Sequence, residues 1–124
     1  MSALEPSEIL AFAKSNPELI RCNHESLDGI PGSFYTLNYT DEANELPPEQ
    51  WHAVTLICRG LVLHDLDGEL SVAISCCPKF FSWPREAELP DPVRFRRKVD
   101  GSCVHATALR LHGSEELTWL VGTR

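Results

Sequence analysis

Apolar and polar positions alternate with two different periods along this chain. Near the N-terminus Ile9, Leu10 and Phe12 line one side of a helical period, and a short helix is predicted over 7–14. Pro6 sits at its edge, Ser7 is placed to cap it, and Asn16-Pro17 stops it. Asp28-Gly29-Ile30-Pro31-Gly32 is turn chemistry. The next seven residues, Ser33-Phe34-Tyr35-Thr36-Leu37-Asn38-Tyr39, are rich in aromatic and β-favouring side chains and read as a strand. Residues 41–50 are polar and carry Pro47-Pro48, which gives a loop or a brief helical turn leading into Trp51.

Two hairpin signals organise the remainder. Residues 60–64 and 69–74 flank Asp65-Leu66-Asp67-Gly68, whose Asp-Gly pair can supply the positive φ of a tight turn. Residues 103–111 and 117–121 flank His112-Gly113-Ser114, and alternation sets Val104, Ala106 and Ala108 against His105, Thr107 and Leu109. Between the hairpins, 78–92 is too broken by proline for regular structure. No internal repeat or low-complexity tract interrupts the pattern. The expectation is one α+β domain over 1–124, with a mainly antiparallel sheet: an N-terminal helix and loop at 1–32 and a β-rich part at 33–124. A strand ending flush at Thr123-Arg124 leads us to expect a truncated chain.

Composition narrows the class. With 43% hydrophobic and 23% charged residues, the chain reads as a globular domain. No apolar run approaches the ~20 residues of a membrane helix, and Met-Ser-Ala-Leu-Glu-Pro lacks the blocks of a secretory signal. A cytoplasmic setting is expected. The five cysteines are odd in number, and none of them forms a CxxC pair. They read as reduced thiols, mostly buried, rather than as a zinc site or a disulfide framework. His64, His105 and His112 show no metal-ligand spacing and read as polar strand or turn residues.

The net charge of -7 is unevenly spread. Residues 1–58 hold nine acids and two bases, while 59–124 hold nine of each. Within 79–98 six bases (Lys79, Arg85, Arg94, Arg96, Arg97, Lys98) face three acids. Such a cluster can hold a polyphosphate or a strand end, since screening confines its field to about 8–10 Å. The alternative is a solvated charged loop.

Within that cluster, Lys98-Val99-Asp100-Gly101-Ser102 has the Lys-x-Asp-Gly form of enzymes that attach a nucleoside monophosphate to lysine. The attacking amine must be neutral, and neighbouring cations such as Arg96 and Arg97, a bound metal and partial desolvation all disfavour the ammonium. Gly101 would let the backbone turn tightly beside a nucleotide, Asp100 would bond local backbone N–H groups, and Ser102 would do the same or meet a phosphate. The bland alternative is an Asp-Gly turn carrying a solvated lysine.

Four blocks in order carry a resemblance: the aromatic strand at 34–39, Cys58-Arg59-Gly60-Leu61-Val62-Leu63, Pro78-Lys79-Phe80-Phe81, and Lys98-Val99-Asp100-Gly101-Ser102. From Phe34 to Arg124 the sequence resembles the adenylyltransferase domain of phage-type RNA ligases, the T4 RNA ligase 1 family. The resemblance implies a partial nucleotidyltransferase fold of the ATP-dependent ligase kind, in which Lys98 forms a lysyl-adenylate. It further implies that Arg59 and Lys79 contact the nucleotide phosphates and that Phe81 helps form the pocket. Asp100 and Gly101 would shape the loop, and Arg124 would stand where family members carry a basic residue. ATP and Mg2+ would be the cofactors, and RNA ends bearing a 5′-phosphate and a 3′-hydroxyl the partners. Arginine within the apolar run 56–61 is costly unless paired, and at least one of Phe80 and Phe81 is expected simply to pack.

The family's later acidic metal-binding residues, its base-contacting motif and its Lys-x-Lys pair lie beyond the point where this chain ends. By the resemblance, then, this polypeptide would be an incomplete fragment, feeble alone and associated with a missing C-terminal half. The other readings are a catalytically inactive module that binds a nucleotide or RNA end, and a small β-rich interaction domain in which KVDGS is only a turn.

Overall fold

Proline fits the first turn of a helix because its missing N–H would have no partner there. In a computed structural model of the chain, which describes residues 3–82, 88–110 and 115–123, α1 (Pro6–Ser15) begins on Pro6. The cap is therefore Glu5, not Ser7 as the sequence suggested. The Glu5 N–H donates to the Glu8 carboxylate at 3.0 Å. At the other end the Asn16 amide donates to the Phe12 carbonyl at 2.9 Å. Ile9, Leu10 and Ala13 are the buried face.

The strands β1 (Ile20–Glu25), β2 (Ser33–Tyr39), β3 (Arg59–Leu66) and β4 (Glu69–Ile74) form an antiparallel sheet in chain order. β1 falls in the segment expected to be loop. Its Arg, Asn, His and Glu give no apolar alternation, and as an edge strand it buries only Ile20 fully. Tertiary pairing, Ile20 opposite Tyr39 through Glu25 opposite Phe34, overrides the weak local preference. β2 spans the residues expected of it, and the β3–β4 turn places Asp67 and Gly68 at φ 53 and 83. Between β2 and β3 lie α2 (Asp41–Asn44), a 3-10 turn (Pro48–Gln50) and α3 (Ala53–Ile57). α3 takes up Leu56 and Ile57 of the apolar run 56–61, and His52 Nδ1 caps it by accepting from the Val54 N–H at 3.1 Å.

The sheet is covered on both faces, which is why β3 reads as a continuous apolar run. On one face α1 and α3 bring Ile9, Leu10, Ala13 and Val54 against Tyr35, Leu37, Leu61 and Leu63. On the other, Phe34, Val62 and Ile74 meet Leu120. Leu120 belongs to the second hairpin, β5 (Val104–Arg110) and β6 (Leu117–Thr123), which pair separately as a two-stranded sheet. The alternation expected of β5 holds: His105, Thr107 and Leu109 face inward, while Val104, Ala106 and Ala108 are exposed. The described residues make an α+β domain with mainly antiparallel sheets. Among them no helix is long and apolar enough to cross a membrane. The expected turn at His112-Gly113-Ser114 lies outside the described residues.

All five cysteines are free thiols. Only Cys58 is fully buried, and burial pushes its thiol up to about 12. Cys22 and Cys76 are half-buried and Cys77 and Cys103 exposed, so the expectation of mostly buried thiols is corrected. Cys76, Cys77 and Cys103 lie just outside β4 and β5, away from the two buried clusters.

His64 is a strand residue of β3, as expected, and it is buried. It stacks on Phe34 at 4.5 Å, with Nε2 2.9 Å from the Pro31 carbonyl. This contact ties the 28–32 turn to β3 and leaves Gly32 (φ 81) no room, since an added Cβ would collide with the Asp65 carbonyl. Gly32→Ala therefore combines a clash with left-handed backbone strain and should lower stability by about 2–4 kcal/mol. Urea unfolding of the variant beside the parent chain measures the loss.

Candidate functional site

The β2–β3 register shifts between Leu37 and Asn38, and the extra residue is accommodated at Gly60, whose φ is 73. The buried Asn38 side chain closes this irregularity, its Oδ1 accepting from the Gly60 N–H at 2.9 Å. The Tyr39 N–H donates to the Cys58 carbonyl at 2.8 Å on the other side of Arg59. Arg59 is thus held between two backbone anchors at the start of β3. Its guanidinium lies 5.0 Å over the Phe80 ring. Its Nε is buried and meets no acceptor among the described residues. The pairing that the sequence demanded for this arginine is only partly met, by a ring and not by an anion.

Lys79 is fixed on the adjoining segment, its N–H donating to the Leu56 carbonyl at 2.7 Å. Its ammonium sits in an aromatic box, 5.6 Å from the Tyr39 ring and 5.7 Å from those of Trp51 and Phe81. The Asn44 Oδ1 accepts from Nζ at 3.0 Å. Trp51 stands edge-on to both Tyr39 (78°) and Phe81 (81°) and donates from Nε1 to the Leu46 carbonyl at 3.1 Å. Phe81 therefore lies beside Lys79. Neither Phe80 (70% exposed) nor Phe81 (40%) packs into the core, contrary to expectation, because both serve cations at the surface.

Tyr39, Asn44 and Trp51 were not read as site residues from the sequence. Their signal was present as aromatics flanking a polar, proline-containing stretch, but it is no stronger than that of ordinary core packing. Only the fold closes the ring around Lys79.

Lys98, Asp100 and Gly101 lie in irregular, exposed chain between β4 and β5. Lys98 is exposed and makes no hydrogen bond or ion pair among the described residues. Gly101 has φ 145, a backbone conformation suited to glycine, and an added Cβ would meet open space. Its role is conformational, not steric. The expected bonds from Asp100 and Ser102 to local N–H groups are not formed among the described residues, because the exposed loop leaves these side chains to water. Arg124 lies outside the described residues.

A cavity of about 400 Å³ opens between the four-stranded sheet and the β5–β6 hairpin. Val62, Ile74 and Leu120 form its apolar wall, and Thr36, Gly60 and His105 contribute polar edges. It borders Gly60 and so reaches the neighbour of Arg59, but Arg59, Lys79 and Lys98 do not line it. His105 Nε2 also lies 3.5 Å from the Cys103 Sγ. Among the described residues no group of three or more His, Cys, Asp or Glu could hold a metal ion. Comparison of the chain with protein families, curated proteins and solved structures finds no match in any of the three.

The arrangement of Arg59 depends on the Asn38 amide. Asn38→Ala leaves the Gly60 N–H unsatisfied in a buried place, which should cost about 1–3 kcal/mol. Chemical unfolding should show that loss, while far-ultraviolet circular dichroism keeps the parent strand content.

Proposed function

We propose that the chain is the nucleotide-binding part of an ATP-dependent RNA ligase. In this reading Lys98 takes AMP from ATP and passes it to an RNA 5′-phosphate, and a 3′-hydroxyl then displaces AMP to seal the strand. The supporting observation is the orphaned Nε of Arg59 at the start of β3, whose guanidinium lies over the ring of Phe80, the residue between Lys79 and Phe81. A guanidinium nitrogen buried without an acceptor is satisfied by a phosphate oxygen, and charge-assisted bonds of that kind are the stronger ones. Phe80 bridges the two cations, its ring under Arg59 and its backbone following Lys79.

Lys79 would leave its aromatic box to reach a triphosphate. Cation–π contacts at exposed sites are worth ~0.5–1 kcal/mol each, whereas hydrogen bonds to charged groups give ~1.5–3 kcal/mol. Three such contacts and the Asn44 hydrogen bond are given up, so the exchange requires more than one phosphate oxygen on Nζ. Lys98 would approach by folding of the irregular chain that leads into β5, with Gly101 providing the turn. Attack by the Lys98 amine on the α-phosphorus forms the N–P bond and releases pyrophosphate, whose charge Arg59 and Lys79 would offset. Magnesium would supply further charge neutralisation, held mostly by phosphate oxygens and water as is usual for this ion. A reducing, cytoplasmic setting belongs to this reading and agrees with the five free thiols.

A second reading, a module that holds a nucleotide without transfer, is favoured by the exposure of Lys98 in irregular chain. Incubation with α-labelled ATP and magnesium separates the two. The ligase reading expects label that survives denaturation, disappears in Lys98→Ala and falls about 100- to 1,000-fold in Arg59→Ala. Reversible ATP binding without label would select the second reading. Neither label nor binding would leave a small β-rich interaction domain.

A further inference from the structure

Between β4 and β5 the chain presents Arg94-Phe95-Arg96-Arg97-Lys98-Val99, every residue of it exposed. Phe95 is 82% exposed and Val99 83%. Among the described residues the four cations have no carboxylate partner. Six consecutive exposed residues, four of them cationic and one aromatic, satisfy no partner among the described residues. A solvated charged loop has no use for a bare phenyl ring at its centre.

We infer that residues 94–99 dock single-stranded RNA, Arg94, Arg96 and Arg97 tracking its phosphates while Phe95 stacks on a base. This rests on the ligase reading above, for which it assigns the strand-binding surface, but it needs no nucleotide chemistry. Single-stranded nucleic acid is bound by this combination of a basic track and an open aromatic face. An acidic peptide would satisfy the arginines equally well and gain little from the ring. Phe95 therefore favours RNA. The acidic excess of the chain does not prevent this, because it is concentrated in residues 1–58 and salt confines each field to about 8–10 Å. Affinity should be modest and steeply dependent on salt.

The experiment measures fluorescence anisotropy of a labelled, 5′-phosphorylated single-stranded RNA 12-mer with the full chain, without ATP, from 50 to 200 mM salt. Three phosphate contacts predict a slope of log affinity against log salt of about -2. Phe95→Ala should weaken binding about 5- to 150-fold, the loss of one stacked base, and keep its lysyl label in the ATP assay. The triple change Arg94→Ala, Arg96→Ala, Arg97→Ala should flatten the salt slope towards zero. Circular dichroism checks that the variants keep the parent fold. No RNA binding by the parent chain would overturn the inference. So would polyglutamate binding as tightly as RNA with no effect of Phe95→Ala. RNA binding without lysyl label would sink the ligase reading and leave this surface standing, and label without RNA binding would do the reverse.

Discussion

One buried hydrogen bond governs how the functional half of the chain begins. The Asn38 Oδ1 accepts from the Gly60 N–H across a register shift, at a point where Gly60 takes a positive φ. An unmet amide in that interior would cost more than the bond itself contributes, so the irregularity is locked once the sheet forms. From it follow the position of Arg59, the close approach of Cys58 to Tyr39 and the cover that Arg59 gives to Phe80. The layers on either face of the sheet then hold the strand in place. α1 and α3 close one side, and Leu120 from the second hairpin closes the other.

The cations on this frame are in different states of commitment. Arg59 is half-buried and short of one acceptor, Lys79 is held by three rings and an amide, and Lys98 is open to water. A polyphosphate arriving at Arg59 would compete for Lys79 against three ring contacts, each weaker than a charge-assisted hydrogen bond, and against the Asn44 bond. Bringing Lys98 to the same place is the costly step. It requires ordering of irregular chain, at roughly 1–2 kcal/mol per backbone residue fixed. In the ligase reading, nucleotide binding energy would therefore go into assembling the site as well as holding the ligand.

What could be read from the residues alone divides along physical lines. β2 and the β3–β4 hairpin were legible because aromatic density, period-2 alternation and an Asp-Gly turn all pointed the same way. The inward and outward faces of β5 were legible for the same reason. β1 was not, since its polar residues become a strand only through pairing with β2. The cap of α1 was misplaced by one turn of reasoning, because Pro6 fixes the boundary at Glu5 before Ser7 can act. Of the site, Arg59, Lys79 and Phe81 were legible as two short motifs that the fold brings side by side, whereas the closure of Tyr39, Trp51 and Asn44 around Lys79 joins positions up to 40 residues apart and leaves no signal stronger than ordinary packing. The bonding role expected of Asp100 failed because nothing packs on that loop to hold it.

The central claim is that one exposed lysine and two surface-held cations converge on a single triphosphate. A crystal structure of the chain with magnesium and an ATP analogue uncleavable between its α and β phosphates addresses it directly. The account predicts phosphate oxygens on Arg59 Nε, Lys79 withdrawn from its aromatic box, and Lys98 Nζ about 3–3.5 Å from the α-phosphorus. A nucleotide bound elsewhere, with Lys79 still between Tyr39, Trp51 and Phe81 and Lys98 in bulk solvent, would contradict it.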